Sequence, residues 1–306
     1  MLTLTEASKL IQNPLQRGVV EIFPRSSAVL ERLPFMDVAG NAYAWNQEQT
    51  LPGIGFRGYN DTYTESTGVI NPMTEALKIF GGISKVDRAQ VKTQGKINDI
   101  RATHDAMKAK AAALEFTRVF FKGDAEADAL AFDGLEKRLT GNQVLAAGTA
   151  AGGAALTLDM LDQLMDAVQG GPDVLFMNKT MRRKVNALMR ASNQATEPVS
   201  DAFGRPIYAY AGIPIGVIEQ DKDGGEILAF DEKDAQATPA DAACTSIYAV
   251  RFGAQEWVSG LQATGGMEVI DQGLQGIFYQ TLIEWICSIT VFHPKAAARL
   301  KAIKNA

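Results

Sequence analysis

Stretches of the chain with a helical period alternate with stretches of two-residue period, and several of them have too few large aliphatics to close a core alone. Residues 3–12 predict a short helix. Leu4, Ala7 and Ile11 share a face, Thr3 and Glu6 have capping-box spacing, and Asn13-Pro14 stops it. After scattered anchors at Val19, Val20, Ile22 and Phe23, a second short helix is expected around Ser26–Arg32. This opening reads as an extended arm that needs another surface to lie on. Over 36–80, aromatic and β-branched residues alternate with polar ones around a Gly/Pro-rich middle: Val38, Tyr43, Trp45, Phe56, Tyr59, Tyr63, Val69 and Ile70. That pattern predicts a long two-stranded excursion, and a lone hairpin is marginal in water unless it packs on something else.

Residues 98–121 predict the strongest helix. Ile100, Met107, Leu114 and Phe121 recur every seven residues with Ala111 in the same stripe, while Ala109, Ala113, Phe116 and Phe120 form a second stripe. Asn98 or Asp99 caps the start and Gly123-Asp124 ends it, giving a rod of roughly 36 Å. The small-residue run 141–155 reads as a loop at a domain boundary. An α/β stretch follows: a helix capped by Thr157, a buried strand at 173–177 (DVLFM), and a helix capped by Asn178. That helix turns Met181, Val185, Leu188 and Met189 inward and Lys179, Arg182 and Arg183 outward. Ile207–Tyr210 and Ile213–Ile218 pair about a turn. Strands are expected at 247–252, 257–261, 268–270 and 278–292, and a short helix over 294–303. The class is α+β.

The totals fit a globular chain: 306 residues, 46% hydrophobic and 21% charged. The net charge of −5 argues against an overall surface built to grip nucleic acid. Lys295, Arg299, Lys301 and Lys304 are a local exception, read as a solvated helix face. No apolar run approaches the ~20 residues that span a bilayer, and the first residues lack the pattern of a signal peptide. Cys244 and Cys287 have no CxxC partner, and Cys287 sits in an apolar run as core filler.

Candidate chemistry is sparse. The chain's two histidines, His104 and His293, lack a nucleophile context. Gly95-Lys96 lacks the rest of a phosphate-binding loop, and neither Gly81-Gly82 nor Gly152-Gly153 has dinucleotide-site spacing. Asp221, Asp223 and Glu226 around Gly224-Gly225 depart from a calcium loop at most ligand positions. Asp124, Glu126 and Asp128 read as a solvated face. No catalytic, metal or cofactor residues are assigned.

The order of several segments carries a resemblance: VAGNAYAW (38–45), FRGYNDTY (56–63), KIFGGISKVDRAQVKT (78–93), FFKGDAEADALAFDGLEKRL (120–139), DVLFMNKTMRRKVNAL (173–188), GRPIYAYAGIPI (204–215), YAVRFG (248–253) and IEWICSITVFHPKAAARLKAI (283–303). In this order the chain resembles the tailed-bacteriophage major capsid protein family, whose Hong Kong 97-type shell fold is shared with encapsulins. The resemblance implies an N-terminal arm at 1–35 and an extended β-hairpin loop at 36–80. It implies a peripheral domain at 81–150 and 246–282 with the spine helix 98–121, and an axial α/β domain at 151–245 and 283–306. It also implies self-association into hexamers and pentamers of an icosahedral virion shell, assembled in the bacterial cytoplasm around double-stranded DNA without sequence-specific binding. The partners would be a portal protein, a separate scaffolding protein or none, and a decoration protein.

Some relatives cross-link through a loop lysine; residues 10–77 hold no Lys, so no such isopeptide is expected. The expected inter-subunit contacts are Phe35, Tyr43, Trp45, Phe56, Arg57, Tyr59 and Tyr63, against the plainer reading that half of them pack within their own subunit. The alternatives are an encapsulin-type shell, a soluble oligomeric enzyme with a site near 173–230, and another virion part such as a tail or decoration protein.

Overall fold

The computed structural model describes residues 27–94, 100–149, 152–192, 199–200, 206–234 and 243–305. The helix expected over 3–12 and its caps lie outside them, as do Asn98 and Asp99. The described chain opens with β1 (Phe35–Val38), β2 (Ala42–Thr50), β3 (Val69–Ala76) and β4 (Lys78–Asp87), then α1 (Arg88–Gln94) and α2 (Ile100–Lys122). Next come α3 (Leu135–Arg138), β5 (Val144–Ala146), α4 (Leu158–Asp166), β6 (Val174–Asn178) and α5 (Lys179–Ala191). Strands β7 (Val199–Ser200), β8 (Pro206–Ile207), β9 (Ala209–Tyr210), β10 (Ile213–Ile218) and β11 (Cys244–Val250) follow. The chain closes with β12 (Val258–Ala263), β13 (Glu268–Gln275), β14 (Phe278–Val291) and β15 (Ala297–Lys304).

Two sheets share α2. In the first, β14 is the central strand: β12 and β13 pair with successive stretches of one edge, and β4 pairs with the other over residues 278–287. Cys287 faces both Gln262 and Lys78, which fixes the two edges as opposite. Strand β1 adds parallel to β12. Its Phe35 ring seats over Gly260, where any Cβ would collide with that ring, so a glycine inside β12 is what lets the aromatic lie flat there. The second sheet runs β5-β15-β11-β6-β10-β9. The β9–β10 turn passes through Ala211 and Gly212, both at positive φ (49° and 80°), as a tight two-residue hairpin requires.

The second sheet is covered on both faces, and its strands show it. In β6, Val174 and Phe176 point toward α2, while Leu175 and Met177 point toward α4 and α5; in β11, Tyr248 and Val250 share the first side, Ile247 and Ala249 the second. This explains the unbroken apolar run of 173–177. Helix α4 is capped by Thr157, whose Oγ1 accepts from Met160 N at 3.3 Å; α5 is capped by Asn178, whose Oδ1 accepts from Met181 N at 2.8 Å. Both caps agree with the sequence reading.

Helix α2 buries Ala109, Ala113, Phe116 and Phe120, the second predicted stripe, whereas Met107 in the seven-residue stripe is 65% exposed. A strict seven-residue repeat drifts about 20° per heptad around a straight helix, so only its C-terminal end, Phe121, reaches the core. Phe116 meets Trp285 of the first sheet at 5.2 Å; Phe121 meets Phe176 and Tyr248 of the second at 5.4 and 5.1 Å.

Several expectations are corrected. The segment 294–303 is not a helix: β15 is an inner strand between β5 and β11, and its alanines fit because both of its faces are closed. A bulge opposite Thr245–Ile247, with Ala302 at φ 62°, bends it. Arg299 is accordingly not on a solvated helix face. Its guanidinium is buried, bonding Ser246 Oγ (2.9 Å), Glu232 (2.8 Å) and Glu136 (3.0 Å). Burial works against its charge, but Tyr248, Glu232 and Glu136 more than compensate and hold it protonated. The 141–155 run is not all loop, since β5 pairs with β15. Around 28–32 the chain makes hydrogen-bonded turns rather than a helix. The sheets also cut across the expected division: residues 246–250 lie in the second sheet and 283–291 in the first.

Two outcomes follow. Phe121→Ala removes the ring that bridges α2 to the second sheet and should cost about 3–5 kcal/mol in chemical denaturation. Arg299→Met strands Glu232 in the interior and should cost about 3–5 kcal/mol, with Arg299→Met/Glu232→Leu recovering a measurable part of it; equal losses in single and double variants would contradict a coupled pair.

Candidate assembly surface

The hairpin β2–β3 projects from the body and is fixed at its base. Glu75 Oε1 accepts from Arg138 and from Ser288 Oγ, both at 2.7 Å. The Arg138–Glu75 pair is largely buried (16% and 15% exposed side chains), so the hairpin root is tied at once to α3 and to β14. Lys78 Nζ donates to Ala129 O at 2.7 Å, and Gln47 Nε2 donates to Phe292 O at 3.0 Å. Tyr43 and Trp45 stack at 6.2 Å and pack edge-on against Phe292 at 6.0 and 5.3 Å. Trp45 Nε1 is buried and has no hydrogen-bond acceptor among the described residues, a donor left open beside a cavity of about 400 Å³ that includes His293.

Beyond this root every residue of 51–68 is exposed. Ile54, Phe56 and Tyr59 are essentially as exposed as in a free peptide (97%, 110% and 102%). The tip holds only local structure: Arg57 donates to Asp61 O at 3.0 Å and lies over the Tyr63 ring at 5.4 Å, and Gly53 N donates to Ser66 Oγ at 2.8 Å. Large apolar side chains held out in water on a defined stalk are costly unless something covers them.

The seven sequence-predicted contacts thus separate. Phe35 is a correction: it is 3% exposed, between Trp285 (4.9 Å) and Phe116 (6.1 Å), and belongs to its own core. Tyr43 and Trp45 form the half-buried root. Phe56, Arg57, Tyr59 and Tyr63 lie together at the exposed tip.

A second surface escaped the sequence reading. On the face of the first sheet turned away from α2, Ile83, Leu282 and Ile270 form one cross-strand row, and Ile79 and Ile286 form another. Ile79, Ile83 and Ile270 are exposed, and nothing among the described residues covers the row. The opposite face carries Phe80, Trp285, Ile283 and Val86 against α2. The available signal was that 78–87 and 278–291 are apolar at both parities, which requires cover on both faces.

His104 is exposed. Among the described residues no group of three metal-ligating side chains forms, and Asp221 spends its Oδ1 on Asp223 N and Gly225 N, both 2.9 Å, as a turn residue. Burial raises the Cys287 thiol far above its ordinary range, so it is inert. No described helix is long and apolar enough to cross a membrane.

Residues 13–155 match the family model described as Major capsid protein GP7. Among solved structures, the chain is similar to an encapsulin subunit in the holo-SrpI complex from Synechococcus elongatus PCC 7942, with TM-score 0.68 and 17% identity, covering 91% of this chain and 88% of that one. It is similar to the capsid protein of an empty GTA particle (TM-score 0.60, 17% identity, 91% and 90% covered) and to a chain from Mycobacterium phage Bobi (TM-score 0.60, 14% identity, 98% of each covered). No curated protein matches the sequence.

Glu75→Ala should leave the core folded but free the hairpin root, raising hydrogen exchange in 42–50 and 69–76 at least tenfold while β6 and β11 stay protected. Unchanged exchange there would contradict the anchoring role.

Proposed function

We propose that the chain is the head protein of a tailed bacteriophage, a reading supported by the match of residues 13–155 to the major capsid protein GP7 family model and by the likeness of the fold to Hong Kong 97-type shell subunits. It assembles into hexamers and pentamers of an icosahedral shell around double-stranded DNA. The observation that carries this reading is the anchored stalk with a bare apolar tip: residues 51–68, all exposed, beyond a root fastened through Glu75. The tip of one copy covers the uncovered aliphatic rows of the first sheet on a neighbour. Each contact is modest, and many of them add in a closed shell. Portal, scaffolding and decoration proteins are the further partners of such a shell, and the host cytoplasm is its place of assembly.

A bacterial protein-cargo shell is the second reading, favoured by the likeness to the encapsulin subunit. The contents of purified particles separate the two, DNA against protein cargo.

Phe56→Ala/Tyr59→Ala should leave the circular dichroism and melting of the subunit within about 0.5 kcal/mol of wild type while reducing shells, counted by sedimentation and negative-stain microscopy, at least tenfold. Normal shell yield from that variant would refute the contact. Since residues 10–77 contain no lysine, denatured particles should run as single chains with no cross-linked ladder.

A further inference from the structure

Helix α5 carries five cations, Lys179, Arg182, Arg183, Lys184 and Arg190, and no carboxylate, in a chain of net charge −5. Its inner face is spent on Met181, Val185 and Met189. Lys179, Arg182, Arg183, Asn186 and Arg190 recur at helical spacing on the outer face. With Tyr208 they border an open cavity of about 550 Å³. Lys179 pairs with Glu219 at 2.9 Å, an exposed contact of little strength. Among the described residues no carboxylate meets Arg182, Arg183 or Arg190. The Arg182 guanidinium lies over the Tyr208 ring at 5.0 Å, which holds it in place, yet its Nε and the neighbouring Asn186 Oδ1 are buried without a partner among the described residues. Lys184, beside the stripe, titrates below the ordinary lysine range through burial and the charge of Arg183, a sign of the local positive potential. Like charges held this close destabilise a helix unless an anion lies over them.

We propose that this face of α5 binds the phosphate backbone of nucleic acid, without reading its bases. The stripe spans twelve residues, Lys179 to Arg190, about 16 Å of helix axis, and duplex DNA presents roughly one charge per 1.7 Å of its own axis, so several phosphates face it together. An acidic protein segment is disfavoured by the lining, which offers a docking chain no apolar anchor site beyond one tyrosine ring. The planar Arg forks suit phosphate oxygens. This inference rests on the DNA-enclosing reading, because that reading supplies the ligand: the chain's overall acidity keeps the genome loose and α5 gives it a local hold.

The test uses the full chain as unassembled subunits or capsomers. Two labelled 20-base-pair duplexes of unrelated sequence are titrated by fluorescence anisotropy between 50 and 200 mM salt. The expected slope of log affinity against log salt is about −3 to −4 for both duplexes, from roughly four phosphate contacts at about −0.9 each. R183Q/R190Q should reduce that slope by about two, and K85Q, a distant exposed control, should leave it unchanged. No binding at 50 mM salt, an unchanged slope in R183Q/R190Q, or tighter binding of a poly-glutamate peptide than of either duplex would overturn the proposal. So would loss of shell formation in R183Q/R190Q with DNA affinity intact, since the stripe would then be a subunit contact. Shell formation by wild type is scored separately by microscopy, so a failure of the shell reading is seen there and not in the anisotropy.

Discussion

One helix face holds two sheets together, and everything else in the subunit is arranged around that contact. Phe116 packs on Trp285 in the first sheet, and Phe120 and Phe121 pack toward Phe176 and Tyr248 in the second. Aromatic side chains suit this duty because each buries a large area with few rotatable bonds. The result is a subunit whose described residues bury cores on both sides of the second sheet and yet leave one sheet face and one hairpin with nothing among them to pack on. Apolar surface left open at the periphery in this way is the kind that a partner surface covers.

Much of this was legible in the sequence. The caps at Thr157 and Asn178, the doubly buried strand at 173–177, the long helix and the stalk could all be read from local pattern. What could not be read was decided by tertiary context. Alanine favours helix, so AAARLKAI looked helical; the slot between β5 and β11, closed on both faces, admits small side chains in a strand and overrides the preference. Met107 and Phe121 share a seven-residue stripe, yet one is in water and the other in the core, because only the far end of the helix lies between both sheets. Phe35 looked like a contact residue of the arm–hairpin junction, but Gly260 in β12 makes a seat for its ring. That glycine inside a strand was a clue to close approach that carried no partner's name.

The assembly surface was half legible for a related reason. The tip aromatics stood out, since Phe56, Tyr59 and Tyr63 lie among glycines and polar residues with no helical or strand partner. The sheet face did not, because sequence gives the parity of a strand but not which parity is covered. Glu75 was missed altogether: a lone carboxylate in a hairpin becomes meaningful only when the fold brings Arg138 and Ser288 to it.

The chain passes from the hairpin into the first sheet with one residue, Leu77, between β3 and β4. Strand β4 then pairs with β14 through ten consecutive registered residues. A pull on the tip, such as an expanding or pressurised container would exert, is delivered along the length of β4. Those rungs are therefore stressed in shear, all sharing the load together, and are not peeled apart one after another like a zip.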